Sequence, residues 1–199
     1  MTSQVSIINA ALRRLGQETI SAVDEGSRAA NLAGPTYDEQ LLLLLQRHHW
    51  NWAIRRIQLA KAAHTPVSGF ANIFPAPSDL VRVIVVSSTD SGYSDLRYRL
   101  EGDALSGWSI LTDSESLFLE YVAHITDPLQ MSPNFQYVLS RGVARELAIA
   151  LTGSRALHAD LAEEYERALT SAVAIDAIEN WPDSRPEGSW VRARFGLLG

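Results

Sequence analysis

The sequence predicts an α+β fold, mainly α: a helical bundle with an inserted small antiparallel β meander and an extended C-terminal arm. Apolar residues recur at helical spacing in both end regions of the chain, and short β-branched runs bounded by turn residues lie between them. The last residues hold two Pro and three Gly, which exclude a stable helix. We therefore expect a helical domain of residues 1–61 and 126–180, a β insert of residues 62–125 and an arm of residues 181–199.

The first helix is predicted by apolar residues at spacings of three and four, with Thr2 or Ser3 as its cap and Gly16 at its end. A second helical pattern begins at Ser27 and is interrupted by Gly34-Pro35. It is either a short helix followed by a new one from Pro35, or one kinked helix, and its apolar part runs over residues 37–52.

Residues 62–78 contain three Pro and one Gly and are expected to form a loop. Four strands are then expected, because β-branched and aromatic runs alternate with turn residues. They cover residues 80–87, 96–100, 108–111 and 117–125. Short connections between them predict an antiparallel meander.

Ser132-Pro133 is a strong helix start, with Ser as the cap and Pro at the first helical position. Apolar residues then recur every four residues on both sides of Gly153-Ser154, which ends one helix and caps the next. The sequence therefore predicts a hairpin of two long antiparallel helices.

The composition excludes several classes of protein. The chain has no Cys, which excludes disulfides and thiolate sites, and its net charge of −6 disfavours a protein that grips nucleic-acid phosphates. The N-terminus lacks a signal-peptide pattern, and the apolar run of residues 41–45 is too short to span a bilayer. We expect a soluble protein made in a cytoplasm, with no metal and no cofactor.

Motifs for catalysis are weak. His48 and His49 are adjacent and point about 100° apart on a helix, so they do not chelate one metal easily; we expect His48 to pack beside Trp52. Phosphate-binding glycine motifs and a nucleophile elbow do not occur. One enzymatic alternative is a small hydrolase with a site formed by His49, His64 and Asp79. A helical transcriptional regulator is a further alternative, disfavoured by the acidic charge.

The last long helix is acidic. Two Arg and six acidic residues between residues 154 and 180 leave a net charge of −4. Either this is an ordinary solvated face, or Glu163, Glu164 and Glu166 line a surface past which DNA moves without sticking.

The arm is rich in side chains typical of binding hot spots, as Trp and Arg are over-represented there. It either wraps back on its own domain or orders on a neighbouring subunit or partner. We expect the contact to be made by Trp190, Arg192, Arg194 and Phe195.

An ordered series of landmarks resembles the head-to-tail adaptor family of short-tailed bacteriophages, also called tail tubular protein A. The series is Ile8-Asn-Ala-Ala-Leu-Arg-Arg-Leu-Gly16, Tyr37-Asp38 with residues 42–45, His49-Trp-Asn-Trp-Ala53, Phe74-Pro-Ala-Pro-Ser-Asp-Leu-Val-Arg-Val83, Tyr98-Arg-Leu-Glu-Gly-Asp103, Ile110-Leu-Thr-Asp113, Leu119-Glu-Tyr-Val122, Thr126-Asp-Pro128 with Phe135, Ala144-Arg-Glu-Leu-Ala148, Leu151-Thr-Gly-Ser154 and Gly188-Ser-Trp-Val-Arg-Ala-Arg194. The chain departs from the family at Gly34-Pro35, inside a helix expected to be continuous.

The resemblance implies a structural virion protein without catalytic activity, located in the neck of the virion. Such adaptors form a ring, typically of twelve copies, that joins the portal protein to the tail nozzle protein and leaves a channel for DNA. The related alternative is the head-tail connector of a long-tailed phage, which is also ring-forming and largely helical.

Overall fold

The computed structural model describes residues 3–67, 69–90, 92–94, 96–103, 105 and 107–179. Over these residues the fold is a mixture of four α-helices and two antiparallel three-stranded sheets, which confirms the α+β class. The helices are α1 (Gln4–Arg14), α2 (Arg28–Arg47), α3 (Pro133–Thr152) and α4 (Arg155–Ile178). The strands are β1 (Ile54–Leu59), β2 (Asn72–Pro75), β3 (Leu80–Ser87), β4 (Tyr98–Asp103), β5 (Gly107–Thr112) and β6 (Leu117–Ala123).

Helix α3 is the centre of the helical part and packs against α1, α2 and α4. Apolar residues at every fourth position explain this, because they lie on one side of the helix and are fully or almost fully buried. They are Phe135, Leu139, Val143 and Leu147. Helices α2 and α4 approach α3 closely at Gly142. A Cβ added there would lie 3.0 Å from Gln40 Oε1 of α2 and 3.2 Å from Tyr165 Cε2 of α4.

Serine caps begin all four helices. In each case the side-chain oxygen accepts a hydrogen bond from the backbone N–H three residues later, which satisfies one of the otherwise unpaired donors of the first turn. The predicted starts at Ser3, Ser132 and Ser154 are therefore confirmed. Gly153 ends α3 in the left-handed conformation, with φ of 70°, so the predicted tight turn of the α3–α4 hairpin is also confirmed.

Helix α2 is continuous through Pro35, which excludes the alternative of a short helix followed by a second one from Pro35. Ala33 and Tyr37 are buried on either side of the proline, so packing of one continuous stripe supports the helix across it. The expected extension to Trp52 is wrong. The helix ends at Arg47, and Asn51–Ala53 forms a short 3-10 turn.

The strand pairing differs from a single meander of four strands. One sheet has the order β1-β6-β3 and the other the order β2-β5-β4, so β3 pairs with β6 across the hairpin formed by β4 and β5. Two strands lie where none was expected. Strand β1 precedes residue 62, and β2 lies within the segment expected to be a loop.

The helices and both sheets share one buried apolar cluster, whose fully buried members run from Ile7 to Ala172. Phe74 and Ile110 of the second sheet belong to it together with Leu117 and Leu119 of the first. None of the described helices combines the length and apolar character needed to cross a membrane.

Candidate assembly surfaces

The corner between α2 and β1 is held by a buried carboxylate near the end of α4. Asp176 is only 5% exposed, and its Oδ2 lies 2.9 Å from His48 Nε2. The backbone N–H of Asn51 donates to the same carboxylate at 3.3 Å, and the Asn51 side-chain amide donates to the Asp176 backbone carbonyl at 2.6 Å. This set of bonds, the Asp176 corner, fixes the point from which the chain continues towards residue 180.

A cluster of aromatic rings in edge-on contact lies next to the Asp176 corner. The His48 ring contacts Trp50 edge-on, with centroids 5.0 Å apart, where the expected neighbour was Trp52. Trp50 is fully buried and donates from Nε1 to the Leu44 carbonyl at 2.9 Å. Trp50 and Trp52 both pack edge-on against Phe135 of α3, so both tryptophans serve packing.

Glu164 points towards the other helices. Its carboxylate accepts hydrogen bonds from Arg14 at the end of α1 and from Arg141 of α3, the latter at 3.1 Å. Burial raises the pKa of Glu164, but the Arg14 hydrogen bond and the charges of both arginines outweigh it and hold the pKa below its ordinary value. Glu164 therefore joins α1, α3 and α4.

Glu163 and Glu166 lie on the outer face of α4. Their side chains are 72% and 56% exposed, and each has an arginine at salt-bridge distance: Arg167 at 3.7 Å from Glu163, and Arg47 at 3.6 Å from Glu166. Exposed pairs of this kind contribute little to stability, about 0–1 kcal/mol. Both carboxylates are thus available to an external partner.

The outer face of α4 is less acidic than the sequence of the helix suggests. Of the six acidic residues between residues 154 and 180, Glu164 and Asp176 are turned inward. The four exposed carboxylates and two exposed arginines of this segment have a net charge of −2. They are Asp160, Glu163, Glu166 and Glu179, with Arg155 and Arg167.

A groove of about 280 Å³ lies on the first sheet, on the face opposite the core. Half-buried Phe118 of β6 lies in it, beside Val85 of β3. At one side, Arg56 of β1 makes two hydrogen bonds to Glu120 of β6, at 2.8 and 3.0 Å. The exposed carboxylate of Asp90 lines the opposite side. We call this the β1 groove.

The three residues of the hydrolase alternative have different surroundings. Asp79 accepts a hydrogen bond from the Tyr121 hydroxyl at 3.1 Å, and burial together with this bond raises the pKa of Tyr121 to about 12. Burial lowers the pKa of His49, and the charges of Arg82 and His48 lower it further. His64 is half-buried in the segment between β1 and β2. Within the described part of the chain, no group of three or more histidine and acidic side chains is placed to share a metal ion.

The expected docking residues Trp190, Arg192, Arg194 and Phe195 lie outside the described residues. The described part of the chain ends at Glu179, three residues beyond Asp176. Sequence reasoning missed this corner and the β1 groove. A signal for Asp176 was present, since it follows Leu161, Tyr165, Leu169 and Ala172 at the same spacing of three to four residues.

Comparison with models of protein families gives no match to this chain, and comparison with curated proteins gives none either.

Proposed function

We propose that this chain is a structural virion protein, the head-to-tail adaptor of a short-tailed bacteriophage. Copies of it assemble into a ring, of twelve subunits by analogy with the family, between the portal protein and the tail nozzle protein. DNA passes through the ring during packaging and ejection without specific binding. The proposal assigns no catalytic activity to the chain and places it in the neck of the virion, after synthesis in the host cytoplasm.

The observation that carries the proposal is the ordered series of family landmarks along the sequence. Their positions in the fold agree with structural roles. The segment His49-Trp-Asn-Trp-Ala53 forms the corner between α2 and β1, where its tryptophans pack on α3. The segment Leu151-Thr-Gly-Ser154 forms the turn of the α3–α4 hairpin. Motifs at such connections between helices and strands determine the shape of the fold, and an assembly protein depends on a defined shape.

In this proposal the four helices form the bundle of the adaptor, the two sheets form its insert, and residues 181–199 form its docking arm. A subunit in a closed ring meets its neighbour through two different surfaces, because the contact is head-to-tail. An arm supplies contact area without enlarging the folded domain, and it becomes ordered when it binds. The exposed carboxylates Glu163 and Glu166 supply the acidic surface that the channel is expected to present to DNA.

The solution mass of the purified protein tests the proposal. A subunit has a mass of 21.9 kDa, so a ring of twelve has a mass of about 260 kDa. Light scattering after size exclusion should give this mass for the protein alone, or, after addition of the portal protein, a complex heavier than the portal protein by this mass. A tight dimer, or a monomer that does not bind the portal protein, would contradict the proposal. Negative-stain electron microscopy of the same fraction then shows whether the particle is a ring with an open channel.

A further inference from the structure

We propose that the β1 groove and the free edge of strand β1 bind residues 190–195 of a neighbouring copy of this chain. The inference rests on the proposed ring and deepens it, because it names both halves of one contact between subunits.

Strand β1 is an edge strand. It pairs with β6 on one side and with no other strand among the described residues. The unpaired N–H and C=O groups of an edge strand are a template for one more strand. Ile57 on this edge is 36% exposed although it lies on the core side of the sheet, opposite fully buried Leu119. An apolar side chain at this position is therefore incompletely covered.

The last four residues of β1 alternate in chemistry. Ile57 and Leu59 lie on the core side, opposite Leu119 and Leu117 of β6. Arg56 and Gln58 lie on the groove side, opposite Glu120 and Phe118, whereas Ile54 and Arg55 at the start of the strand do not follow this alternation. A strand that completes this part of the edge needs apolar side chains on one face, and on the other face a set suited to Phe118 and Glu120.

Residues 190–195, Trp-Val-Arg-Ala-Arg-Phe, have this alternation. Successive residues of a strand point to opposite faces. Val191, Ala193 and Phe195 would lie on the core side beside Ile57 and Leu59. Trp190, Arg192 and Arg194 would lie on the groove side, with the indole directed over Gln58 towards Phe118 and a guanidinium group directed towards Glu120. The length also fits, since both strands have six residues.

The described chain ends at Glu179, just beyond the Asp176 corner and close to the start of β1. Ten residues connect residue 180 to residue 190, and an extended chain of ten residues spans up to about 33 Å. Pro182 and Pro186 favour an extended path. Each copy then offers one donor strand and one acceptor edge at separate positions, which is the head-to-tail pairing that closes into a ring.

Binding of a synthetic peptide of residues 188–199 to a chain ending at residue 180 tests the inference directly. The shortened chain retains the whole buried cluster, since its fully buried members lie between Ile7 and Ala172. Fluorescence anisotropy should show saturable binding. Ile57→Lys should weaken it by about tenfold or more, because it places a charge beside the apolar face of the incoming strand. Ile149→Lys is the matched control, as Ile149 is 49% exposed on α3, and it should bind like the parent chain.

The peptide side has its own variant. Val191→Asp in the peptide should abolish binding, whereas Leu197→Asp, outside the six-residue strand, should retain it. Absence of peptide binding, or equal binding by the Ile57→Lys and Ile149→Lys chains, would overturn the inference. If the full-length protein stays monomeric and refuses the peptide while the shortened chain binds it, the segment occupies its own sheet and docking between copies is overturned.

These outcomes are separable from those that test the adaptor proposal. A full-length Ile57→Lys protein that assembles into the normal ring contradicts the docking inference and leaves the adaptor proposal standing. A wild-type protein that neither forms a ring nor binds the portal protein contradicts the adaptor proposal, whereas sequence-specific peptide binding would still support the contact between β1 and the arm.

Discussion

His48 and Asp176 are separated by 128 positions in the sequence, yet their side chains lie 2.9 Å apart. The carboxylate also receives the backbone N–H of Asn51, so one side chain of α4 holds the chain where it changes from helix to strand. Because α4 ends at Ile178, the same interaction fixes the start of the C-terminal segment. The Asp176 corner therefore couples the end of α4 to the start of β1.

Removal of the Asp176 carboxylate should destabilise the fold. Asp176→Ala removes the buried carboxylate that interacts with His48 and accepts a hydrogen bond from the Asn51 N–H, and the loss of a hydrogen bond to a charged group costs about 1.5–3 kcal/mol. Urea unfolding should show this loss. Glu179→Ala, an exposed acidic residue of the same helix end, is the control and should stay within about 0.5 kcal/mol of wild type. Equal stability of the two variants would contradict a structural role for the corner.

Truncation of Trp50 should lower the stability of the fold much more than truncation of Trp108. Trp50 is fully buried between His48 and Phe135, so Trp50→Ala creates a large cavity and should cost about 3–5 kcal/mol. Trp108 is 63% exposed on β5, and Trp108→Ala should change the free energy of unfolding much less. Chemical denaturation of both variants makes the comparison. An unchanged stability of Trp50→Ala would contradict the assignment of Trp50 to the core.

Glu164 should make stability depend on pH in the acidic range. Its pKa is lowered in the folded protein, so the ionised form stabilises the fold above the ordinary value of 4.5, and this contribution is lost as the pH falls through the folded pKa. At pH 7 Glu164→Gln should cost about 1–2 kcal/mol. The difference from wild type should shrink below pH 4.5. Glu163→Gln is the control, and a difference that stayed constant with pH would contradict the assigned cause.

The helices were predictable because their determinants are local. Ser3, Ser132 and Ser154 act on backbone groups three residues away, and apolar spacing determines which side of each helix is buried. The sheets were less predictable. Strand β1, Ile-Arg-Arg-Ile-Gln-Leu, has no regular alternation of apolar and polar residues, and β2 has four residues and ends in Pro75. Their pairing depends on contacts with β6 and β5, which lie far along the chain.

The candidate surfaces were likewise predictable only where they depend on local sequence. The acidity of α4 is visible in the sequence, but the directions of Glu164 and Glu163 are opposite although the residues are adjacent, because only Glu164 meets arginines of α1 and α3. The β1 groove is built from three strands that come together only in the folded sheet. Local patterns cannot define such a site.

Charge reversal on α4 should separate the channel role from the folding role. In the adaptor proposal, Glu163→Lys with Glu166→Lys keeps the free energy of unfolding close to wild type, since both side chains are exposed, but slows DNA packaging or ejection. Glu164→Lys instead opposes Arg14 and Arg141 and should lower stability. Thermal unfolding and packaging assays should be carried out on both. Normal DNA passage with the double variant would place this face on the solvated outside of the ring.

Deletion of residues 183–199 should abolish assembly and leave folding intact. The fully buried members of the core lie between Ile7 and Ala172, and the Asp176 corner is retained, so the free energy of unfolding should change by less than about 0.5 kcal/mol. Assembly on the portal protein should be lost, because the removed segment contains Trp190, Arg192, Arg194 and Phe195. Size exclusion with light scattering, with and without the portal protein, gives the mass of the truncated and of the full-length protein. A full-length Leu129→Ala protein is the control, since it alters an exposed apolar residue remote in sequence from the arm and should assemble normally. If the truncated protein assembles as wild type does, the arm is not the docking element. If it fails to fold, the arm contributes to the domain itself, as the wrapping alternative requires.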